Sequence, residues 1–452
     1  MSTNPFELTF SLRQHTPIIH FQHHQDGATL RATEVKPKLD RFLIEMMGSG
    51  NYDAGALYAK RQKWLIGEGS NGNALDYKMR IIAQDAPEKV EIKKGEPFPC
   101  FFANIGNEYD PKKFVFHTEP IKLQIICLQT ELKTFIQTHF NHFMAQTNFG
   151  MRQSKGFGSF AIDGQKIERA YASYALDSAT IKKLIEQIKK TRGASPLFIE
   201  ETNSKYSFQA LFKAIDLFYR SLRGGVRTYG GGGVCKFYFK PLLVAYYNEN
   251  ILNSGIDWDK KAIKQTLVDG KIGVLGTDIK DLFGFSTNET WKECPEWATT
   301  IIKKRDKREE DIKSIEAKIQ TVSNSEKQAL IDEKNKLSDE LVERFASPII
   351  FKPIYENGKW RIYIYHKAIP KTYKNTTVLA DVNGHDVALK MWDSASFPFY
   401  LSDFFDFIEN YKDNKEFDAH IKKYDERGHY FDFLRHQDYH NLKTLFSTYK
   451  TL

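Results

Sequence analysis

The residues best equipped for chemistry lie in one short run, Phe149-Gly150-Met151-Arg152-Gln153-Ser154-Lys155-Gly156-Phe157-Gly158-Ser159. It follows an apolar helical pattern and precedes the strand-like Phe160-Ala161-Ile162. Glycine lets a backbone turn through positive φ and approach another molecule closely. Successive N–H groups in such a turn form an anion-binding concavity. Arg152 and Lys155 add formal charge, Gly156 and Gly158 shape the turn, and Phe157 offers a ring face on which a base can stack. The combination suits a loop that grips a phosphodiester backbone; the competing reading is a plain helix-to-strand turn. A second apolar helix runs into Arg223-Gly224-Gly225-Val226-Arg227-Thr228-Tyr229 and then Gly230 to Gly233, so Arg223 and Arg227 mark a second candidate groove. Neither stretch contains Gly-Lys-Ser/Thr, which excludes a Walker-type phosphate loop.

His15, His20, His23 and His24 crowd another loop. No cysteine lies near them and their spacing matches no zinc pattern, so no metal is expected there. General acid–base work in RNA cleavage stays open to them.

These residues must be positioned by a chain of 452 residues, long enough for two domains. Aromatic residues make up 14%, a richness that core packing ordinarily explains but base stacking also uses. The net charge of +8 permits a polyanionic partner without requiring one. Cys100, Cys127, Cys235 and Cys294 are far apart with no CxxC pair, which fits a reducing compartment. No signal peptide opens the chain, and no run approaches the roughly 20 apolar residues of a membrane span. A cytoplasmic protein without cofactor is the expectation.

Phe6 to Leu12 alternates apolar and polar, a half-buried strand. Leu30 to Ile44 reads as a helix with Thr33 as N-cap, so that Pro37 falls in its first turn. Gly48 to Asn73 reads as an insertion or mobile loop, Pro99–Asn104 and Phe114–Leu128 as strands, and Glu131 to Met144 as a helix. The order is β-α-β-β-α-β, the ferredoxin-like arrangement. A second unit begins near Ala194 with the amphipathic helix Ser207 to Leu222. Its helix, basic glycine loop and following strand repeat the order seen at 150–162 and suggest two related modules. Residues 301–343 are densely charged with Ile and Leu at helical spacing, a helical hairpin in which Ser325 and Gln328 form a capping box. Asn357-Gly358 joins two strands, and Phe397 to Tyr449 is mostly helical.

The opening strand, His15-Thr16-Pro17-Ile18-Ile19 and Leu30-Arg31-Ala32-Thr33-Glu34-Val35-Lys36 resemble the start of a RAMP (Cas7-like) protein, one of the RNA-binding subunits of CRISPR effector complexes. Gly150 to Ser159 resembles the glycine-rich loop of that superfamily. Two modules in one chain make it most similar to the two-domain RAMP subunit of the type III-B Cmr complex. The resemblance implies an α+β protein of two tandem ferredoxin-like modules, 1–193 and 194–452, with the helical hairpin inserted in the second. It implies a non-catalytic subunit that binds single-stranded guide or target RNA beside other effector subunits in antiviral defence. In that geometry Arg31, Lys36, Arg41, Arg152 and Lys155 converge on one RNA strand, with Asp40 close to the same face; the competing reading leaves Lys38 and Arg41 on the solvated face of the helix. Asp26 lies where backbone RAMP subunits carry a cutting Asp and is read as a solvated loop residue. Two alternatives stand beside this reading: a metal-independent guide-processing endoribonuclease, and a pure assembly subunit.

Overall fold

The computed structural model describes residues 4–19, 29–67, 74–91, 113–167, 174–176, 208–231, 234–252, 279–285, 288–294, 297–306, 308–339, 345–356, 359–367, 369, 377–382, 385–390, 399–425 and 428–451. The chain is α+β and divides into two compact units. The first comprises Met1–Phe218, Ile350–Tyr365 and Thr444–Leu452, the second Tyr219–Ile349 and His366–Lys443.

In the first unit the elements run β1 (Glu7–Gln14), β2 (Ile18–Ile19), α1 (Ala32–Met47), α2 (Tyr52–Arg61), β3 (Lys78–Ile82), β4 (Glu88–Glu91), β5 (Lys113–Phe116), β6 (Ile121–Ile126), α3 (Thr130–Gln146) and β7 (Phe160–Ile162). The main sheet has the order β3-β6-β1-β7, every neighbour antiparallel. Alternation decides its two faces. Leu8 and Leu12 of β1 and Ile121, Leu123 and Ile125 of β6 turn into a core with Val35, Leu39 and Leu43 of α1 and Ile136, Phe140 and Phe143 of α3. Phe10 stacks on Phe140 at 4.0 Å between centroids. Thr9 and Ser11, one residue out of phase, are exposed on the opposite face. β2, β5 and β4 form a small separate sheet.

Several local expectations change. The N-cap of α1 is Arg31, whose carbonyl accepts the N–H groups of Glu34 and Val35, so Pro37 lies inside the helix rather than in its first turn. The stretch expected as a loop after Gly48 contains α2, capped by Asn51 Oδ1 accepting from the Ala54 N–H at 3.1 Å. The single strand expected over Phe114–Leu128 is two strands, β5 and β6, parted where the Asp85 carboxylate accepts the N–H groups of Thr118 and Glu119. Pro99–Asn104 lies outside the described residues.

Ile349–Glu356 and Lys359–His366 form neighbouring strands as expected, their Asn357-Gly358 turn being outside the described residues. They join Tyr174–Leu176 and Tyr449–Thr451 in one sheet, so a late hairpin and the last strand of the chain complete the first unit. Ile350, Ile354, Tyr363 and Tyr365 form a second core cluster with Ala145, Ala161 and Ile167.

The second unit holds an antiparallel ribbon, Val226–Tyr229 with Cys235–Phe239, and a sheet ordered Asn288–Cys294, Trp297–Asp306, Thr377–Val382, His385–Lys390. Among the described residues these do not reproduce the strand order of the first unit. The charged helical hairpin is Arg308–Thr321 and Asn324–Asp339, shorter than the expected 301–343 because residues 301–306 are strand. At its turn the Ser323 carbonyl accepts the N–H groups of Glu326 and Lys327 and its hydroxyl donates to Glu326 Oε2, so the helix starts at Asn324 and the expected Ser325 lies inside it. Helices Leu401–Glu409, Asn414–Lys423, Tyr430–Phe433 and Gln437–Ser447 follow. No helix of the described residues is long and apolar enough to cross a membrane.

Candidate nucleic-acid interface

The glycine loop leaves α3 and enters β7 at one end of the main sheet, and three distant segments hold it. The first is the Thr16-Pro17 turn after β1. The Thr16 hydroxyl donates to the Gly156 carbonyl at 2.6 Å and accepts the Ser159 N–H at 2.9 Å, and Pro17 O accepts the Gly158 N–H at 2.8 Å. The second is α1, whose Glu34 Oε1 accepts the Gly150 N–H at 2.6 Å. The third is the strand Ile349–Glu356, some two hundred residues downstream. Asn148 Nδ2 donates to Phe351 O at 2.8 Å and Ser159 Oγ to Pro353 O at 2.7 Å. Lys352 Nζ donates to Thr147 O and Phe160 O, both at 2.7 Å, and so ties together the two ends of the loop. Lys352 is fully buried and desolvation holds its pKa well below the ordinary lysine value.

This construction corrects the picture of a nest of outward N–H groups. Those of Gly150, Met151, Lys155, Gly156, Gly158 and Ser159 all donate within the protein. Gly156 and Gly158 are buried, at φ +90° and +66°, and a Cβ on Gly158 would stand 1.9 Å from the Phe149 carbonyl oxygen. Phe157 is fully buried and stacked on Phe212 at 4.0 Å, 11° from parallel, so the ring face expected to receive a base is covered by protein. At the tip, Arg152 adopts the left-handed conformation at φ +57°, rare for a residue with a side chain, and Arg152 and Lys155 are half-buried.

The cations expected on α1 separate by what they touch. Lys36 Nζ bonds Asp40 Oδ2 at 2.7 Å and Leu75 O at 2.9 Å and lies 4.2 Å above the Tyr77 ring, so it is a partner inside the helix–sheet packing. Asp40, expected close to the RNA face, is buried, and desolvation first of all raises its pKa while Lys36 opposes the rise. Lys38 bonds Glu34 and Asn148 O beneath the glycine loop. Arg41 is exposed and pairs with Glu45. Arg31 is half-buried at the start of α1.

Of the histidines, His20, His23 and His24 lie outside the described residues, as does Asp26. His15 is buried; its Nδ1 accepts the Tyr355 N–H at 3.0 Å, and desolvation, followed by the nearby Lys352 and Arg13 charges, lowers its pKa to about 3. This enclosed imidazole links the start of the Thr16-Pro17 turn to the strand Ile349–Glu356. His117 went unnoticed in the sequence because its partners are distant: Nδ1 meets Asp85 Oδ1 and Nε2 meets Thr29 Oγ1, each at 2.7 Å.

The second candidate groove, in the second unit, is a β-hairpin. Val226–Tyr229 is a strand, and Gly230 opens the turn with its N–H donating to Val234 O at 2.8 Å. The Arg223 guanidinium donates to Lys280 O and Gly284 O, at 3.1 and 2.9 Å, and braces a neighbouring turn. Arg227 is exposed, 4.7 Å from the Tyr238 ring.

A four-stranded sheet with two helices on one face and a glycine loop locked to a Thr-Pro turn is compatible with the RAMP-like subunit that the sequence resembles. Comparison with known families agrees: the Cmr1 N-terminal domain matches residues 6–226 and the Cmr1 C-terminal domain residues 238–427. The chain belongs to the Cmr1 family, a subunit of the type III-B Cmr complex. No curated protein matches it.

Proposed function

We propose that the chain is a non-catalytic, cytoplasmic RNA-binding subunit that holds single-stranded guide or target RNA within a Cmr effector. The glycine loop carries this reading. Its backbone is fixed from three chain segments, and its tip carries two half-buried cations, Arg152, in a strained conformation, and Lys155, whose Nζ is buried. The β3-β6-β1-β7 order, with α1 and α3 on one face, supports a ferredoxin-like module as its scaffold. Arg31 at the start of α1 and exposed Arg41 extend the same basic character along the helix. Binding through phosphates weakens steeply with salt.

The test is incubation of the purified chain with labelled single-stranded RNA in EDTA, read by gel shift and by denaturing gel. The expected result is a salt-sensitive shift with intact RNA, weakened by Arg152→Ala/Lys155→Ala. Defined cleavage products, or unchanged binding by the double variant, would overturn the respective parts of the reading.

A further inference from the structure

The expected RNA-binding cations are largely occupied within the protein, whereas another set is not. On the face of the main sheet opposite α1 and α3, strand pairing sets two rungs side by side: Arg80–Gln124–Thr9 and Ile82–Lys122–Ser11. Lys78 precedes Arg80 by two residues on the same face of β3, hence about 6.5–7 Å away. Lys78 and Arg80 are exposed and Lys122 is half-buried. Among the described residues none of the three makes an ion pair or a side-chain hydrogen bond. The anions of this face are already engaged: Glu7 accepts from Thr9 Oγ1 and Gln124 Nε2, and Asp163 pairs with Arg13 at 2.6 Å.

We infer that this open sheet face is a second binding surface, for the sugar–phosphate backbone of single-stranded RNA. The inference rests on the RNA-binding reading above and adds a site to it. Basic residues on an edge strand also discourage edge-to-edge pairing, which accounts for Lys78 and Arg80. It does not account for Lys122, on an interior strand with a neighbour on each side. The chemistry selects the occupant. Lysine and arginine beside hydroxyl and amide groups are the usual partners of phosphate oxygens. A protein-binding patch would instead centre on aromatic and apolar residues and be depleted in lysine, whereas on this face β1, β3 and β6 carry only Ile82 and Ile126 as apolar side chains and no aromatic ring, with Ala161 of β7 at the far edge. Without a stacking platform, the surface reads backbone and not sequence.

The test uses the full chain with fluorescent oligo(U) and oligo(A), measuring affinity by anisotropy across a salt series. Lys78→Gln/Arg80→Gln/Lys122→Gln is compared with Lys313→Gln/Lys318→Gln/Lys336→Gln, which removes the same charge from the helical hairpin. Thermal melting checks that both remain folded. The sheet variant is expected to bind both oligomers at least about tenfold more weakly at low salt and to lose about 2 from the slope of log K against log salt, while the hairpin variant keeps the wild-type slope. Wild-type binding with an unchanged slope in the sheet variant overturns the sheet-face site and leaves the RNA-binding reading standing. An unchanged slope together with loss of assembly with other effector subunits overturns it in favour of an acidic protein partner. No RNA binding by the wild type overturns both readings.

Discussion

Between Phe149 and Ser159 the backbone is gripped from α1, from the Thr16-Pro17 turn and from the strand Ile349–Glu356, whereas Gly230 opens the turn of an antiparallel ribbon. Both stretches follow an apolar helix, both carry arginine, and both are rich in glycine, so in sequence they look like one device used twice. They differ in what the glycines are for. Gly158 stands where no side chain fits; in the second stretch Gly225, at φ +77°, would bring a Cβ to 2.8 Å from the Phe239 carbonyl oxygen, while added Cβ atoms at Gly224 and Gly231 would meet nothing within 4 Å. A glycine-rich, basic run therefore records a turn. Only the density of partners around it separates a built loop from a plain one.

The comparison breaks most easily at glycine. Gly158→Ala forces a positive φ on a side chain and drives its Cβ onto the Phe149 carbonyl, a cost of about 4 kcal/mol or outright loss of the first unit. Gly224→Ala is expected to stay within about 0.5 kcal/mol of wild type. Equal midpoints for the two variants in urea would remove the distinction. Next in size is Lys352→Met, which strips the donor from two carbonyls at the ends of the loop and costs about 3 kcal/mol. Proteolysis within 150–159 should accelerate in parallel; a loop as resistant as wild type would mean that Lys352 does not hold it.

How much of this was legible in the chain follows from distance in sequence. The period-two alternation of β1 and the helical spacing of α3 are local, and both elements form where expected. Thr16-Pro17 and the glycine loop were each visible as motifs. Their mutual hydrogen bonds were not, because a motif states its own turn and not its partner. Lys352 was hidden for the same reason: a lysine in an otherwise apolar strand gives no sign that it will be buried against Thr147 and Phe160. Phe157 shows the opposite error. Its type suits both base stacking and core packing, and only the arrival of Phe212 decides between them. The helix α2 was missed since Gly48, Gly50 and Gly55 gave its surroundings the composition of a loop.

Acid sharpens the comparison between the units at an intermediate scale. His15 in the first unit has its pKa lowered to about 3, and His420 in the second to about 4, in both cases mainly by burial. Between these values and the ordinary 6.5 the unfolded chain binds more protons than the folded one, so stability rises with pH there. Each contribution is complete above about pH 6.5 and is lost as pH falls toward the folded value. From pH 6.5 to 5, His15 alone should remove about 2 kcal/mol. His15→Asn keeps an acceptor for the Tyr355 N–H but cannot titrate, and should flatten its share of the slope while that of His420 persists. An unaltered slope would show that His15 is charged or exposed in solution.

The smallest effects separate the two arginines of the second stretch, which the sequence could not rank. Arg223 gives two hydrogen bonds to backbone carbonyls, and Arg223→Ala should cost about 1–2 kcal/mol as those acceptors lose their partner. Arg227 is exposed and meets ring faces, so Arg227→Ala should cost about 0.5 kcal/mol. RNA affinity should order them the other way. A guanidinium committed to Lys280 and Gly284 cannot also neutralise a phosphate without giving up those bonds, whereas one lying over Tyr238 at the surface can. Arg227→Ala is therefore expected to lower the salt slope of RNA binding by about 0.7, the share of one phosphate on a single strand, and Arg223→Ala to leave it unchanged. A lowered slope for Arg223→Ala in a fully folded protein would move the contact to the helix end and make the two glycine stretches alike in function after all.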